Sequence, residues 1–357
     1  MAEAEAGKAD APASKTESPD LARGRFLVTG GAGFIGSNFV RMIRKRFPDS
    51  RVTVLDKLTY AGNLANLESL AGDPGYRFVR GDICDAKAVA GAMEGADLVV
   101  NFAAETHVDR SIERAHEFVL TDTFGVYVLL EEARRAGVRR FVQVSTDEVY
   151  GEILGDAATE ESPLLARNPY AASKIGGERL AYSYYATYGV PTVVTRCSNN
   201  YGPNQHPEKL IPLFVTNALQ DLPVPVYGSG RNTRDWIHVD DHCSAMISIL
   251  QSPGVEGETF NIGAGNEKSV LEITALILDR LKKPAGLIKH VTDRPGHDRR
   301  YAIDMSKLKK KTGFVPAIPF ERGITATIDW YAENRAWWEA VRSGEYRHYY
   351  ERMYGAR

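Results

Sequence analysis

The stretch "VSTDEVYG", residues 144–151, sets two carboxylic acids, Asp147 and Glu148, side by side where the apolar run "RRFVQV" gives out. Neighbours on an extended chain point to opposite sides, so two adjacent acids aimed at one target require a bend here. An acid that keeps its proton and a carboxylate that has lost one can together give and take protons across a single bond. A second pair lies in "NPYAASK", residues 168–174, where Tyr170 and Lys174 are four apart and share one face of a helix. The helix this segment opens, "KIGGERLAYSYYATYG", reads as amphipathic. A phenol titrates near about 10 in water, and a neighbouring ammonium plus the cation of a bound oxidant are expected to lower it toward neutrality, where it takes a proton from a hydroxyl.

Such a base needs an oxidant beside it, and the chain offers a place for one. In "FLVTGGAGFIGSNFV" the glycines Gly30, Gly33 and Gly36, with Phe34 and Ile35 between them, end one strand pattern and open a helix pattern. Without side chains the backbone turns tightly and approaches a pyrophosphate, whose charge meets the N–H groups of the helix terminus. The spacing is G-x-x-G-x-x-G. Asp56 ends the next strand pattern 20 residues after Gly36, where a carboxylate accepts hydrogen bonds from a ribose and repels a 2′-phosphate. This favours NAD over NADP, although Lys57, which with Leu58 and Thr59 opens the following loop, could tolerate the phosphate. Asp82 and Ile83, after the third strand pattern, are placed to hold the adenine, or else are a solvated loop.

The elements that position these groups are apolar, β-branched runs alternating with helical patterns from residue 25 to about 200. The strands are expected at 25–30, 51–56, 76–82, 96–104, 139–146 and 191–198. Runs apolar on both faces and separated by helices make a parallel sheet covered on both sides, and right-handed crossovers wind it doubly. The fold class is therefore α/β, a doubly wound (Rossmann) parallel sheet with a smaller C-terminal substrate-binding lobe. Residues 1–22 read as a disordered tail, 23–198 as the NAD-binding domain with 234–262 returning to it, and 199–233 with 263–357 as a loop-rich lobe.

Composition excludes other classes. The chain has 357 residues, 44 Lys plus Arg against 46 Asp plus Glu, and a formal net charge of -2, so no field favours nucleic acid or an anionic membrane. The basic run "KLKKK" at 307–311 reads as a solvated helix face. No apolar run reaches the length of a membrane span, and the histidines show no metal-ligand spacing. Three scattered cysteines, Cys84, Cys197 and Cys243, fit a reducing cytoplasm.

Taken together, "TGGAGFIG", "AAETHVDRS", "STDEVYG", "YAASK", "SNNYGPNQHPEKLIP", "RDWIHVDDH" and "DRPGHDRRYAID" resemble the dTDP-glucose 4,6-dehydratases of the extended short-chain dehydrogenase/reductase family, over residues 25 to about 340. The glycine motif and the Tyr/Lys pair belong to the whole superfamily; the Thr-Asp-Glu run and "DRPGH" are more specific. The resemblance implies NAD-dependent oxidation at C4 of a nucleoside-diphosphate hexose, loss of water across C5 and C6, and return of hydride to C6. Glu148 is then the base at C5, Asp147 the acid at O6, Thr146 the partner of the C4 oxygen, and Tyr170 with Lys174 the C4 oxidation pair. It further implies Ala103, Ala104, Glu105, Thr121 and Asn200 on the cofactor. Thr106, Asn199, Lys209, Leu210, Pro225, Val226, Tyr227, Arg234, Asn266, Asp293, Arg294, Pro295, Gly296 and His297 are implied on the nucleotide sugar. The implied partner is a second copy of the chain, paired through helices near 113–136 and 170–188.

The chain departs from the family's pattern in places. Arg167, Asn168 and Ala171 replace three serines before and after Tyr170, and Asn204 and His206 stand in a segment where the family has aromatic residues. Two rivals remain: a nucleotide-sugar 4-epimerase, which needs no acid and base at 147 and 148, and a non-catalytic NAD-binding protein.

Overall fold

The computed structural model describes residues 18–342. Strands β1 (Arg25–Thr29), β2 (Arg51–Asp56), β3 (Tyr76–Arg80), β4 (Leu98–Asn101), β5 (Arg140–Thr146) and β6 (Thr192–Cys197) coincide with the six expected runs, most of them trimmed at their ends. β4 is the most shortened, because Phe102 to Ala104 leave the sheet to line a cavity. Downstream lie β7 (Asn199–Tyr201), β8 (Val224–Tyr227), β9 (Thr233–His238), β10 (Thr259–Ile262), β11 (Glu267–Ser269) and β12 (Ile288–Val291), of which β10 joins the main sheet. The main sheet runs β10-β6-β5-β4-β1-β2-β3, and every pairing is parallel. Strand order reverses between β1 and β4, the switch point at which such sheets open a crevice at their carboxyl edge.

Helix α1 (Phe34–Arg46) covers one face. On the other face lie α2 (Ala86–Met93), then α3 (Val108–Glu113) and α4 (Ala115–Val119), a π-helical turn (Leu120–Gly125), α5 (Val126–Ala136) and α6 (Pro169–Tyr188). Thus the helix expected near 113–136 is broken, and its π turn is of a kind that often marks a functional site. α6 has no apolar stripe, contrary to the amphipathic reading: its buried face carries Ser173, Lys174, Gly177 and Glu178. Glu178 is satisfied by Arg196 of β6 through bonds of 2.6 and 3.1 Å, both side chains nearly inaccessible.

The C-terminal part is more helical than loop-rich. α7 (Leu210–Leu219), α9 (Val270–Arg280), α11 (Phe320–Glu333) and α12 (Arg335–Val341) enclose a core containing Phe214, Ile273, Ile277, Phe320 and Trp338. α8 (Val239–Gln251), by contrast, packs with α1 over the main sheet, and β10 joins that sheet, whereas β9 pairs with β7 and β11 in a sheet of its own. α10 (Ser306–Thr312) carries the lysine run, with Leu308 buried beneath it. Leu21, within the segment read as tail, is 2% exposed in the main core, so the folded body begins before it; residues 1–17 of that segment lie outside those described. Among the described residues no helix is long and apolar enough to cross a membrane.

Candidate active site

The bend that the acid pair requires is present. β5 stops at Thr146, whose backbone is still extended, and a 3₁₀ turn follows at Asp147–Tyr150, its first donor capped by Thr146 Oγ, which accepts from Glu148 N at 3.3 Å. A 3₁₀ turn rotates successive side chains by about 120° instead of 180°, and Asp147 and Glu148 both line one cavity of about 300 Å³ with Thr146, Tyr170 and Lys174. α6 begins at Asn168, which accepts from Ala171 N at 2.8 Å, with Pro169 in the first turn. This cap places Tyr170 at the cavity's edge, and a Thr146 hydrogen bond reaches its phenol.

Burial pushes the Asp147 carboxyl well above the usual aspartate range, and the charge of Glu148 adds to the effect, both in the direction that favours its protonated form. Its Oδ2 has no hydrogen-bond partner among the described residues. For Tyr170 the protein groups alone act in the upward direction. Burial, then the negative charges of Glu148, Cys197 and Asp122, raise it well above an ordinary phenol, so the protein alone does not prepare it as a base. A cation brought in by a ligand is needed to reverse this.

The cofactor end of the same cavity is formed by Gly30, Gly33, Phe34, Ile35 and Gly36 at the start of α1, Asp56, Lys57 and Thr59 after β2, Asp82 and Ile83 after β3, and Ala103, Ala104, Glu105 and Thr121. Gly30 has φ +66°, and a Cβ there would meet the Ala103 backbone at 2.6 Å. A Cβ at Gly36 would meet Gly30 O at 2.3 Å, so the helix and the turn touch through their backbones. No side chain caps α1 and its first turn has no acid, which leaves that terminus ready for an anion. Asp56 accepts from Ala32 N at 2.9 Å and Leu58 N at 2.8 Å, and a carboxylate retains lone pairs for a ribose. Lys57 is drawn to Asp82 at 2.7 Å. These features fit a dinucleotide. Leu58, expected in the site, does not line the cavity and packs against the core instead. Asn200 lines it, but its amide is tied to Ser198 O and His242 Nδ1.

Of the residues expected on the substrate, Thr106, Asn199 and Lys209 line the cavity, and Lys209 Nζ donates to Thr106 O at 2.7 Å. Tyr227 and Arg294 meet at Asp109, each 3.0 Å from one of its oxygens. His297 is held by Asp293 at 2.6 Å, and Arg234 lies 4.1 Å over the Tyr301 ring while donating to Asp298 O. Val226 is wholly enclosed and Pro225 is buried beside it in β8, where alternate residues must face the lobe's interior; Leu210 packs on the same core. Asn266 donates to Trp236 O, and neither it nor the 293–297 segment lines the cavity.

Three residues were missed by sequence reasoning. Asp122, in the π turn, is 1% exposed, pushed up to about 6 by burial, and accepts from Glu105 N and Ser173 Oγ at 2.9 Å each. Burial and Asp122 together push Glu105 up to about 7. Tyr301 reaches Glu148 from 153 positions downstream, and its hydroxyl is held by Asp298. No group among the described residues has the side chains to hold a metal ion.

Known proteins carry the same pattern. The family model described as GDP-mannose 4,6 dehydratase matches residues 27–327. A dTDP-glucose 4,6-dehydratase of Streptomyces niveus is 52% identical over 323 residues, 89% of this chain and 96% of that one. The dTDP-glucose 4,6-dehydratase of Streptomyces venezuelae, solved with NAD bound, superposes with a TM-score of 0.87 at 50% identity, covering 89% of this chain and 99% of the other. A UDP-glucose 4-epimerase of Thermus thermophilus, also solved with NAD, has a TM-score of 0.80 at 32% identity over 87% and 99% of the two chains. The chain belongs to the GDP-mannose 4,6 dehydratase family and, within it, stands with the dTDP-glucose 4,6-dehydratases.

Proposed function

We propose that the protein converts a nucleoside-diphosphate hexose, dTDP-glucose, to its 4-keto-6-deoxy product by dehydration. The observation that carries this is the 3₁₀ turn that brings Asp147 and Glu148 to the cavity holding Tyr170 and Lys174. The glycine turn, Asp56 and the Ala103–Glu105 segment would hold NAD, which would supply a hydride acceptor for oxidation at C4 and a donor for reduction at C6. Tyr170 takes the proton of the C4 hydroxyl, with Lys174 one helical turn behind it. Thr146 bonds the C4 oxygen. Once C4 is a carbonyl, the C5 proton is acidic enough for Glu148 to remove, and Asp147 delivers its own proton to the departing C6 oxygen. Arg294, Tyr227 and Lys209, on the lobe side, hold the diphosphate and sugar.

An epimerase on this fold needs Tyr170 and Lys174 but not a buried protonated acid next to a second carboxylate. dTDP-glucose deuterated at C4 separates the two: appearance of the label at C6 with loss of one water supports dehydration, and retention at C4 with inverted configuration supports epimerisation. The working unit is a homodimer. Val119, Leu120, Phe124 and Tyr127 stay exposed, as does Tyr188 of α6, and Glu131 with Arg134 and Arg135 adds both signs of charge, as a two-fold contact requires. Three free cysteines fit a reducing compartment, and we place the protein in the cytoplasm.

A further inference from the structure

Asn168 and Arg167, two of the chain's departures from the family's pattern, sit just ahead of Tyr170. Asn168 has two bonds of different kinds. Its Oδ1 caps α6, and its Nδ2 donates to Glu148 Oε2 at 3.1 Å. The same Oε2 lies 3.4 Å from the Tyr301 hydroxyl. Tyr301 is 2% exposed and donates to Asp298 Oδ2 at 2.6 Å, while Asp298 Oδ1 accepts from Arg167 Nη1 at 2.7 Å. A phenol has one proton; with that proton on the shorter bond, Tyr301 turns a lone pair toward Glu148.

Oε2 of Glu148 therefore has a donor on one side and an acceptor on the other. The carboxylate uses the donor. The carboxylic acid formed when it gains a proton uses the acceptor. Among the described residues no hydrogen bond engages Oε1. We infer that Asn168 and Tyr301 are positioning residues that hold the Oε2 edge of Glu148 through both of its protonation states, leaving Oε1 to meet the C5 hydrogen. In that step the C5–H bond breaks, its electron pair forms the C5–C6 double bond, the C6–O bond breaks, and Asp147 protonates the leaving oxygen to give water. The inference rests on Glu148 being the base proposed above.

The groups that face Glu148 electrostatically are Asp147 on its own turn, Tyr170 on α6, Lys209 ahead of α7, and Arg294 and Tyr301 on the 293–301 segment. None of them is altered by Asn168→Ser, which keeps a cap of equal rank but is too short to keep the bond to Glu148. The full-length protein with Asn168→Ser is expected to melt and to bind NAD as the parent does. Its single-turnover loss of water, followed by rapid quench and mass spectrometry, is expected to slow about tenfold to a hundredfold, the usual value of a hydrogen bond to a charged group. The acid limb of its kcat/KM profile should move to higher pH, since an N–H donor favours the charged carboxylate. Tyr301→Phe is expected to slow water loss as well, with Asp298 still paired to Arg167. Water loss at the parent rate in Asn168→Ser, or slowing only in step with a fall in Tm, overturns the inference. Glu148→Gln serves as the control: if it loses water at the parent rate, the base assignment itself is wrong.

Discussion

Replacing Asp147 by Asn removes one titratable proton and almost no volume. The side chain is 2% exposed, Oδ1 lies 3.3 Å from Thr146 Oγ, and Oδ2 has no partner among the described residues, so the amide fits the same space. Two effects of opposite sign follow. For turnover, a placed general acid contributes about 10²- to 10⁴-fold, or about 3–5 kcal/mol of barrier, and kcat should fall by that amount. Glu148 is untouched, so in deuterated water the recovered dTDP-glucose should gain deuterium at C5 while product lags. For stability, a carboxyl raised in the fold above its ordinary 3.8 binds its proton more tightly folded than unfolded. Its contribution is therefore lost as pH rises above about 4. Asp147→Asn should consequently stabilise the protein at pH 7 and above, with the gain vanishing below about pH 4. Urea melts across that range measure it. Turnover within about tenfold of the parent, below the range for a general acid, or a stability gain that does not depend on pH, would refute the reasoning.

Other perturbations probe separate parts of the structure. Glu178→Gln leaves Arg196 buried without its counter-charge and should cost about 3–5 kcal/mol in a urea melt. His242 is fully enclosed and held down to about 4 by burial, so it contributes stability above its ordinary 6.5 that is lost as pH falls toward 4; His242→Gln should flatten that part of the pH–stability curve. Asp56→Ala removes the acceptor at the end of β2 and should weaken NAD binding about tenfold or more while narrowing its margin over NADP, measured by calorimetry. Leu120→Asp with Phe124→Asp should yield monomers in sedimentation, since a charge on each side of a two-fold contact is repeated by the partner.

What the chain reveals before folding is what short range decides. The six strands, the glycine turn, the Tyr170–Lys174 spacing and the bend at Thr146 each depend on residues within a few positions of one another, where turn chemistry and helical period act. Contacts closed by the fold are invisible at that range. Tyr301 lies 153 positions from Glu148, and although it falls within "DRPGHDRRYAID", nothing local shows that it meets Glu148. The π turn is hidden because "LTDTFG" suits an ordinary helix, and its widening is tied to Gly176 and Gly177, where a Cβ would strike Thr123 and the Asp122 carbonyl. The depth at which Tyr170 is buried is hidden for a related reason: a lysine in the sequence is obvious, and the burial that opposes it is not.

The seventh strand of the main sheet is supplied late. β6 is buried at all six positions, and its outer neighbour β10 lies more than sixty residues downstream, beyond the first part of the lobe. While the chain is being synthesised, "TVVTRC" thus leaves the ribosome as an open apolar edge and waits for "TFNI" to close it. A truncation just after β6 is accordingly not a miniature nucleotide-binding module but a template for self-association, and the two halves must mature as a single folding event.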